Sequence, residues 1–553
     1  IDFLATNMQD LPERHRSIRA VFEYSWQLLT PAEQDVFSRL SVCRGGFSRE
    51  AAQVVGGASL PVLSSLVDKS FIRQDAAEGH RQARYRRHPL LIQFAAEQLA
   101  QQPEKLAESQ KRLAIYMAEC LAERANHFYG PDRRAAMAFM TAEHENVRLA
   151  WQWAIENEPA LLEQMATSYQ YFLIGVGLFP EGFAQFQQAV AALARPEDAL
   201  LRALLQTQLC MFARLVGDTE MGRELVLDSL AILDRLPTTA RSEEIEAVTL
   251  KQYGGLLFSD DSNFPEAKKI HEQALALFRK QSNLVGEGDV LFILSGNDYY
   301  TGRYAEAIQW AEQCQAVQQQ AGNQIGQMLA KQVLGLIYTA QGEYEQAIEL
   351  FHSCIALAEA ANYKVDLPWH HADLGYAYLL AGQFEQAGQT LALSLQYSLE
   401  HGDPQAIATA YEVLGFAHLH NGRFHEAARH GHQGLRYSYN ENMNHPLQKA
   451  FALCLLGAAA VGKADYKEAV AQLKEAVDIF REINHLEYLG WSLAMQLIAT
   501  CGLQRWRGAN RLAEETAVLI DQLDAMKAKM LLHTALAVWC CQQNQPETGI
   551  MLW

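Results

Sequence analysis

These 553 residues hold no Cys-x-x-Cys pair, no run near the ~20 apolar residues of a membrane span, and no Gly-x-x-x-x-Gly-Lys-Ser/Thr loop. The nine cysteines are scattered; only Cys540 and Cys541 are adjacent, which is poor geometry for a mutual disulfide. Reduced thiols in a cytoplasmic protein are the simplest expectation, and no secretory leader is recognised. No strand ending in acidic residues accompanies a phosphate loop, so an ATPase module is not expected among these residues. No Ser/His/Asp or Cys/His set stands out from the scattered polar positions, and no catalytic residue is nominated. A formal net charge of −18 argues against nucleic acid as a partner for most of the surface. Residues 1–100 carry 12 Lys/Arg and 11 Asp/Glu, so the acidity lies beyond them. Ile1 is not a methionine and Trp553 falls within an expected helix, so a longer parent protein is expected.

What is present is a period of 40 residues. Gly302-Arg303-Tyr304-Ala305-Glu306-Ala307 returns as Gly342 to Ala347 with Tyr344, Gly382 to Ala387 with Phe384, and Gly422 to Ala427 with Phe424. Asn263 to Ala267 lies one period upstream; Tyr466 to Ala469 and Arg507-Gly508-Ala509 continue it downstream after a two-residue slip. Gly182, Gly222 and Gly549 are fainter echoes. A second signal, Leu-Gly-x-x-Tyr, precedes each: Leu334-Gly335 with Tyr338, Leu374-Gly375 with Tyr378, Leu414-Gly415 with His418. Each unit therefore reads as two helices whose small residues allow close approach, with a glycine turn between them. The pattern resembles the tetratricopeptide family, whose usual repeat is ~34 residues, so each helix here should be longer by about three residues. A solenoid of this kind offers a long surface rather than a catalytic pocket.

In such arrays the first helix of each pair lines the concave face. The residue after each reference glycine should point there: Leu336, Tyr376 and Phe416, with Phe292, Tyr299, Gln332, His371, Glu412 and His420 as further candidates. An aromatic and aliphatic groove suits a protein segment, a peptide or a small amphipathic ligand. The Lys/Asn carboxylate clamp of chaperone-binding relatives is not visible at these positions. Histidines 418, 420, 425, 430 and 432 lack the i, i+4 or i+3 spacing on one helix that a metal would want, so no metal site is expected.

The first hundred residues do not repeat. Helices are expected over about 16–29, 30–41, 48–56, 59–68 and 89–101, with Thr30-Pro31-Ala32-Glu33 as a capping box. Ser70 to Arg73 and Arg84 to Arg86 read as two strands around the polar loop Asp75 to Gln82. This order is that of a winged helix. Its recognition helix, Leu60 to Lys69, has one cation near its end, which is poor equipment for phosphates or base edges. Arg81, Arg84, Arg86 and Arg87 give the wing a basic edge.

Several stretches here resemble the segment that follows the nucleotide-binding module in bacterial STAND signalling ATPases. They are Leu11 to Arg19, Ser25 to Leu29, Arg44-Gly45-Gly46-Phe47-Ser48, Leu66 to Ser70, His88-Pro89-Leu90-Leu91 and Glu143-His144-Glu145-Asn146-Val147-Arg148. The resemblance covers about 11–185 and implies that the repeats are the family's C-terminal sensor. It also implies that His88, with Arg87, senses the β-phosphate of ADP bound by an upstream module; a helix N-terminus favours an anion there. The family's Met-His-Asp is Arg87-His88-Pro89 in this chain, so two of three positions depart. No cofactor is expected in these residues themselves, with ADP or ATP held by the longer parent.

The resulting architecture is all-α: a linker over 1–15, a winged-helix domain with a small β-wing over 16–105, a helical connector over 106–185, and a tetratricopeptide-like right-handed superhelix of about nine pairs over 186–553. Its expected role is the regulatory, inducer-sensing region of a STAND-type switch. The partners would be the upstream module and an inducer in the groove, with homo-oligomers only on activation and neither membrane nor DNA contact. A passive tetratricopeptide scaffold and a DNA-binding winged-helix regulator are the alternatives.

Overall fold

The computed structural model describes residues 18–75, 84–130, 132–260, 263–360, 363–440, 443–520 and 526–542. The expected 1–15 linker, Arg81 and the Gly549 echo lie outside them, as does most of the Asp75 to Gln82 loop. The chain forms two compact units, divided between Phe172 and Leu173, with Tyr129 to Pro131 grouped with the second.

The first unit starts with helices α1 (Ile18–Gln27), α2 (Pro31–Arg39), α3 (Arg49–Gly56) and α4 (Leu60–Asp68). The helices α5 (Pro89–Ala100), α6 (Pro103–Arg124) and α7 (Arg133–Asn157) follow. The Thr30 capping box forms as its sequence requires: Thr30 Oγ1 accepts from Glu33 N, and Thr30 N donates to the Glu33 carboxylate at 2.6 Å. Ser48 caps α3. The sheet has three strands rather than two, β1 (Phe47–Ser48), β2 (Arg73–Asp75) and β3 (Arg84–Arg86), in the antiparallel order β1-β3-β2. A two-residue strand is too short to show alternation, which is why β1 leaves no trace in the sequence. The strand expected from Ser70 starts only at Arg73, because Ser70 takes a left-handed φ of 61° that breaks the extended run. Phe37, Phe71, Trp26 and Phe94 form the core, with the Phe37 and Phe71 rings edge-on at 5.2 Å.

Helix α8 (Ala160–Gly175) carries the division, and α9 (Phe179–Ala192) opens the second unit. Eight helical pairs follow. The first four are α10 (Ala199–Leu215) with α11 (Thr219–Arg235), α12 (Ala240–Gly255) with α13 (Phe264–Lys280), α14 (Leu284–Tyr300) with α15 (Tyr304–Gln320), and α16 (Gln324–Gln341) with α17 (Tyr344–Ala360). Next come α18 (Leu367–Leu380) with α19 (Phe384–His401), α20 (Pro404–His420) with α21 (Phe424–Ser438), α22 (Pro446–Gly462) with α23 (Tyr466–Glu482), and α24 (Leu486–Gly502) with α25 (Trp506–Ile520). Helix α26 (Met526–Gln542) ends the described residues. The Leu-Gly signal sets how closely paired helices approach. A Cβ at Gly335 would lie 2.7 Å from the Phe351 ring, and one at Gly375 would lie 2.6 Å from Leu391. Ala347, Ala387 and Ala427 are buried opposite.

A left-handed residue makes the turn within seven of the eight pairs, glycine at Gly342 (φ 89°) but alanine at Ala464 (φ 58°), whereas α12 runs into a π-helical turn, Leu256–Asp260, before α13. The two-residue slip has a structural origin as well. A short ladder, β4 (Tyr439–Asn440) with β5 (Met443–Asn444), lengthens the connection from α21 to α22. Two substitutions test this reading. Ala464→Gly should stabilise the repeats by about 1 kcal/mol through relief of left-handed strain. Gly335→Ala should destabilise them by about 1–3 kcal/mol through overpacking. Urea unfolding followed by circular dichroism measures both, and a reversed order would refute the packing account.

Candidate functional site

The first helices of successive pairs, α14, α16, α18, α20, α22 and α24, pack side by side and form one continuous face. Polar bonds run along it. Lys251 Nζ meets Asp289 at 2.7 Å, and Gln332 Nε2 donates to Asp373 Oδ2 at 2.8 Å. Desolvation pushes the Asp373 carboxyl up to about 7 against that one donor.

Residues far apart in the chain also meet here. Tyr304 Oη donates to Glu487 Oε2 at 3.0 Å, and the Tyr376 and Tyr488 hydroxyls lie 3.3 Å apart. The Tyr300 ring stands edge-on to His485 at 5.6 Å, and Phe451 to Tyr488 at 4.5 Å. The face of α14 to α18 is thus met by the start of α24. Burial pushes the Tyr299, Tyr300 and Tyr488 phenols upward and lowers the His485 imidazole to about 3.

The nominated groove residues separate into three groups. Phe292, Tyr299, Tyr376 and Phe416 share this aromatic assembly: Tyr299 packs on Tyr300 and Tyr304, and Phe416 stands edge-on to Trp491 at 5.8 Å. Gln332 adds its bond to Asp373. Leu336, His371 and Glu412 make their contacts within neighbouring repeats. Leu336 joins the Phe351 cluster, and His371, 8% exposed, stacks on Tyr397. Glu412, 3% exposed, fills the space left by Gly434, and desolvation keeps its carboxyl well above the usual range. The spacing that nominated it reports a helix face but not a missing side chain on the neighbouring helix. His420 belongs to the turn edge, where a cavity of about 400 Å³ lies among Tyr344, Leu379, Phe384, His420 and Met530. Sequence reasoning passed over Asp373, Tyr304, Glu487, His485 and Tyr488. Only the spatial return of the chain brings them together.

At the start of α5, His88 is the N-cap: its exposed ring accepts from Leu90 N through Nδ1 at 3.3 Å. Arg87 points the other way. It is buried, donates to Cys43 O at 2.6 Å and lies 4.9 Å over the Phe47 ring; two of its nitrogens find no acceptor among the described residues. Burial lowers it to about 10. It therefore does not fit as a phosphate ligand in this arrangement. Arg84 pairs with Glu143 of α7 and donates to Ala142 O at 3.0 Å. Asn146, also on α7, accepts from Arg44 N at 2.8 Å and donates to Gly46 O at 2.9 Å. The motifs Arg44 to Ser48 and Glu143 to Arg148 are therefore two halves of one contact. At the C-cap of α4, Lys69 is held by Glu33 at 2.8 Å; burial pushes the Glu33 carboxyl upward, but bonds from Lys69, Ser65 and Thr30 hold it at about 2. Lys69 and Arg84 are thus engaged within the protein, and Arg87 is turned inward.

Among the described residues no group of three or more His, Cys, Asp or Glu side chains is placed to hold a metal. None of their helices is singly long and apolar enough to cross a membrane.

Comparison with known proteins bears on the repeats. The family model described as tetratricopeptide repeat matches residues 332–362, which cover the second half of α16 and all of α17. A Rap protein solved with competence and sporulation factor is similar over 64% of this chain and 96% of its own, at 13% identity and a TM-score of 0.50. That likeness shows the fold: a tetratricopeptide-like helical solenoid. A STAND protein with a tetratricopeptide repeat sensor from Pyrococcus horikoshii aligns over 97% of this chain and 64% of its own, at 12% identity and a TM-score of 0.39. In sequence, a protein of Mycobacterium tuberculosis named as an HTH-type transcriptional regulator is 30% identical over 226 residues, 37% of this chain. The chain spans a quarter of the length of the curated relatives it matches.

Two measurements follow from this geometry. Asn146→Ala should destabilise the first unit by about 2–4 kcal/mol, since it strips buried partners from Arg44 N and Gly46 O; chemical denaturation reads this. The second concerns His370, whose imidazole burial lowers to about 3. Unfolded, it titrates near 6.5, so below that pH the unfolded state binds the extra proton and stability falls as pH drops toward 3. Compared with wild type, His370→Phe should lose less stability between pH 7 and pH 5, by roughly 1–2 kcal/mol. Equal losses in both proteins would contradict a buried neutral imidazole.

Proposed function

We propose that this chain is the regulatory and inducer-sensing region of a STAND-type signalling switch. The observation that carries the reading is the inward face of the repeats, where aromatic rings, a half-buried carboxyl and phenolic hydroxyls gather without a catalytic constellation. A face of this kind suits ligand recognition. The Rap protein of the same fold is solved with competence and sporulation factor, which supports a protein or peptide as the inducer. The helices and β1-β3-β2 sheet of the first unit have the element order of a winged helix. With Lys69 and Arg84 engaged internally, we assign this unit to intramolecular contact rather than to DNA.

In this reading an upstream nucleotide-binding module of the parent protein holds ADP in the resting state, and the first unit closes over it. His88 is the residue we place at the nucleotide: its Nδ1 caps α5, which leaves Nε2 to face an anion. Arg87 supports the turn from below. An inducer favours the open form only by its differential affinity for that form, and ATP exchange and oligomerisation follow. Nucleotide content of the purified full-length parent tests the proposal. ADP should accompany the wild type and be lost, or replaced by ATP, in His88→Ala. Equal ADP in both proteins would remove His88 from the mechanism. A folded parent without nucleotide in either would favour a passive scaffold.

A further inference from the structure

The second helix of each pair turns one side to solvent, and on three of them in succession that side departs from an ordinary mixed surface. Helix α17 carries Glu345, Glu349 and Glu359 and no lysine or arginine. Helix α21, two pairs on, carries Arg429, Arg436 and three histidines against the single acid Glu426. Between them, α19 leaves Phe384 (51%), Leu393 (42%) and Leu399 (50%) exposed, more large apolar side chains than any other described helix. Gly388 and Ala392 share the exposed side of α19, and a Cβ at Gly388 would meet nothing within 4 Å. Another helix can therefore approach α19 closely and cover its apolar groups.

The 40-residue period makes residues 80 apart equivalent across two pairs. Glu345 and His425 thus hold one position on their helices, and Glu349 and Arg429 another, acidic on α17 and basic on α21. Glu359 lies three residues beyond the position that matches Arg436, about 4.5 Å along the helix and within an arginine's reach. All six side chains are exposed, and none has an ion-pair or hydrogen-bond partner among the described residues. Helix α19 stands between the two charged helices, because α17 packs on α18, α18 on α19, α19 on α20 and α20 on α21. One chain therefore presents an acidic helix and a basic helix at matching heights on either side of an apolar one.

We infer that the exposed sides of α17, α19 and α21 form the interface of a symmetric dimer, and that their partner is a second copy of this chain. A two-fold axis running along α19 lays this helix on its own copy. It also sets α17 of each chain on α21 of the other, with the helices parallel and equivalent positions at one height. Glu345 then meets His425 of its partner, Glu349 meets Arg429 and Glu359 meets Arg436, and symmetry makes every pair twice. An axis running across the helices would instead set α17 on α17, acid against acid, so charge selects the first arrangement. Glu385 holds the matching position on α19 and meets its own copy across the axis, which is the one like-charge contact of the interface. The interface is isologous and closes at two chains. It requires neither nucleotide nor inducer and stands apart from the switch reading.

Analytical ultracentrifugation of the full 553-residue chain tests this. The mass should rise with concentration from 62.0 kDa to twice that value and stop there. Raising sodium chloride from about 0.05 M to about 0.5 M should weaken the dimer about tenfold. Arg429→Glu alone and Glu349→Arg alone should each weaken it at least about tenfold, since each change acts at two symmetry-related pairs. The two changes combined in one chain restore opposite charges across the interface, and affinity should return to within about threefold of wild type. Leu399→Asp should also weaken association about tenfold, and Glu385→Gln should tighten it. All these side chains are exposed, and circular dichroism confirms that each variant folds. A wild type that stays monomeric up to about 100 μM would overturn the inference. So would a dimer indifferent to either single reversal, a combined variant that does not recover, or a mass that grows past two chains. Failure of Glu385→Gln to tighten the dimer would overturn the placement of the axis along α19.

Discussion

The close approach of paired helices at small residues is the constraint on which the repeat unit depends. Where Gly335 faces Phe351 and Gly375 faces Leu391, no Cβ fits without movement, and the buried alanines opposite complete the contact. This distance fixes the angle at which each pair stacks on the next and so decides which side chains of the first helices face inward. A larger residue at any of these positions would change more than local packing, because each pair rests on its neighbour.

The inward face is where that regularity is put to use. Along the array, helix positions one period apart carry Phe292 and Gln332, so its chemistry varies while its geometry repeats. Varied chemistry on a constant frame is what recognition by a solenoid needs. The frame also returns on itself: Val333 and Ile337 of α16 share one buried core with Leu489 and Leu493 of α24 and Leu532 of α26.

The first unit obeys a different constraint. A buried network joins the turn at Arg44 to Gly46, strand β3 through Arg84, and α7 through Glu143 and Asn146. Removing one member leaves the others desolvated and unpaired, which makes the network all-or-none. It ties the sheet to the long helix α7 and keeps the β3-to-α5 turn, with His88 at its tip, in a fixed setting.

The sequence by itself determined the repeat, its helical pairs, the glycine turns and the capping of α2 and α3, because these follow from local rules of periodicity and backbone freedom. It also selected Tyr299, Tyr376 and Phe416 as residues of one face, since helical spacing places them there. Tertiary structure alone decided what each nominated residue touches. His371 and Glu412 turn into the packing because Tyr397 and the gap at Gly434 lie on other helices. Likewise Arg87 is inward and His88 outward, an alternation set by the strand that precedes them. The meeting of Tyr304 with Glu487 was invisible for a simpler reason: no local pattern encodes a contact made only when the solenoid comes round on itself.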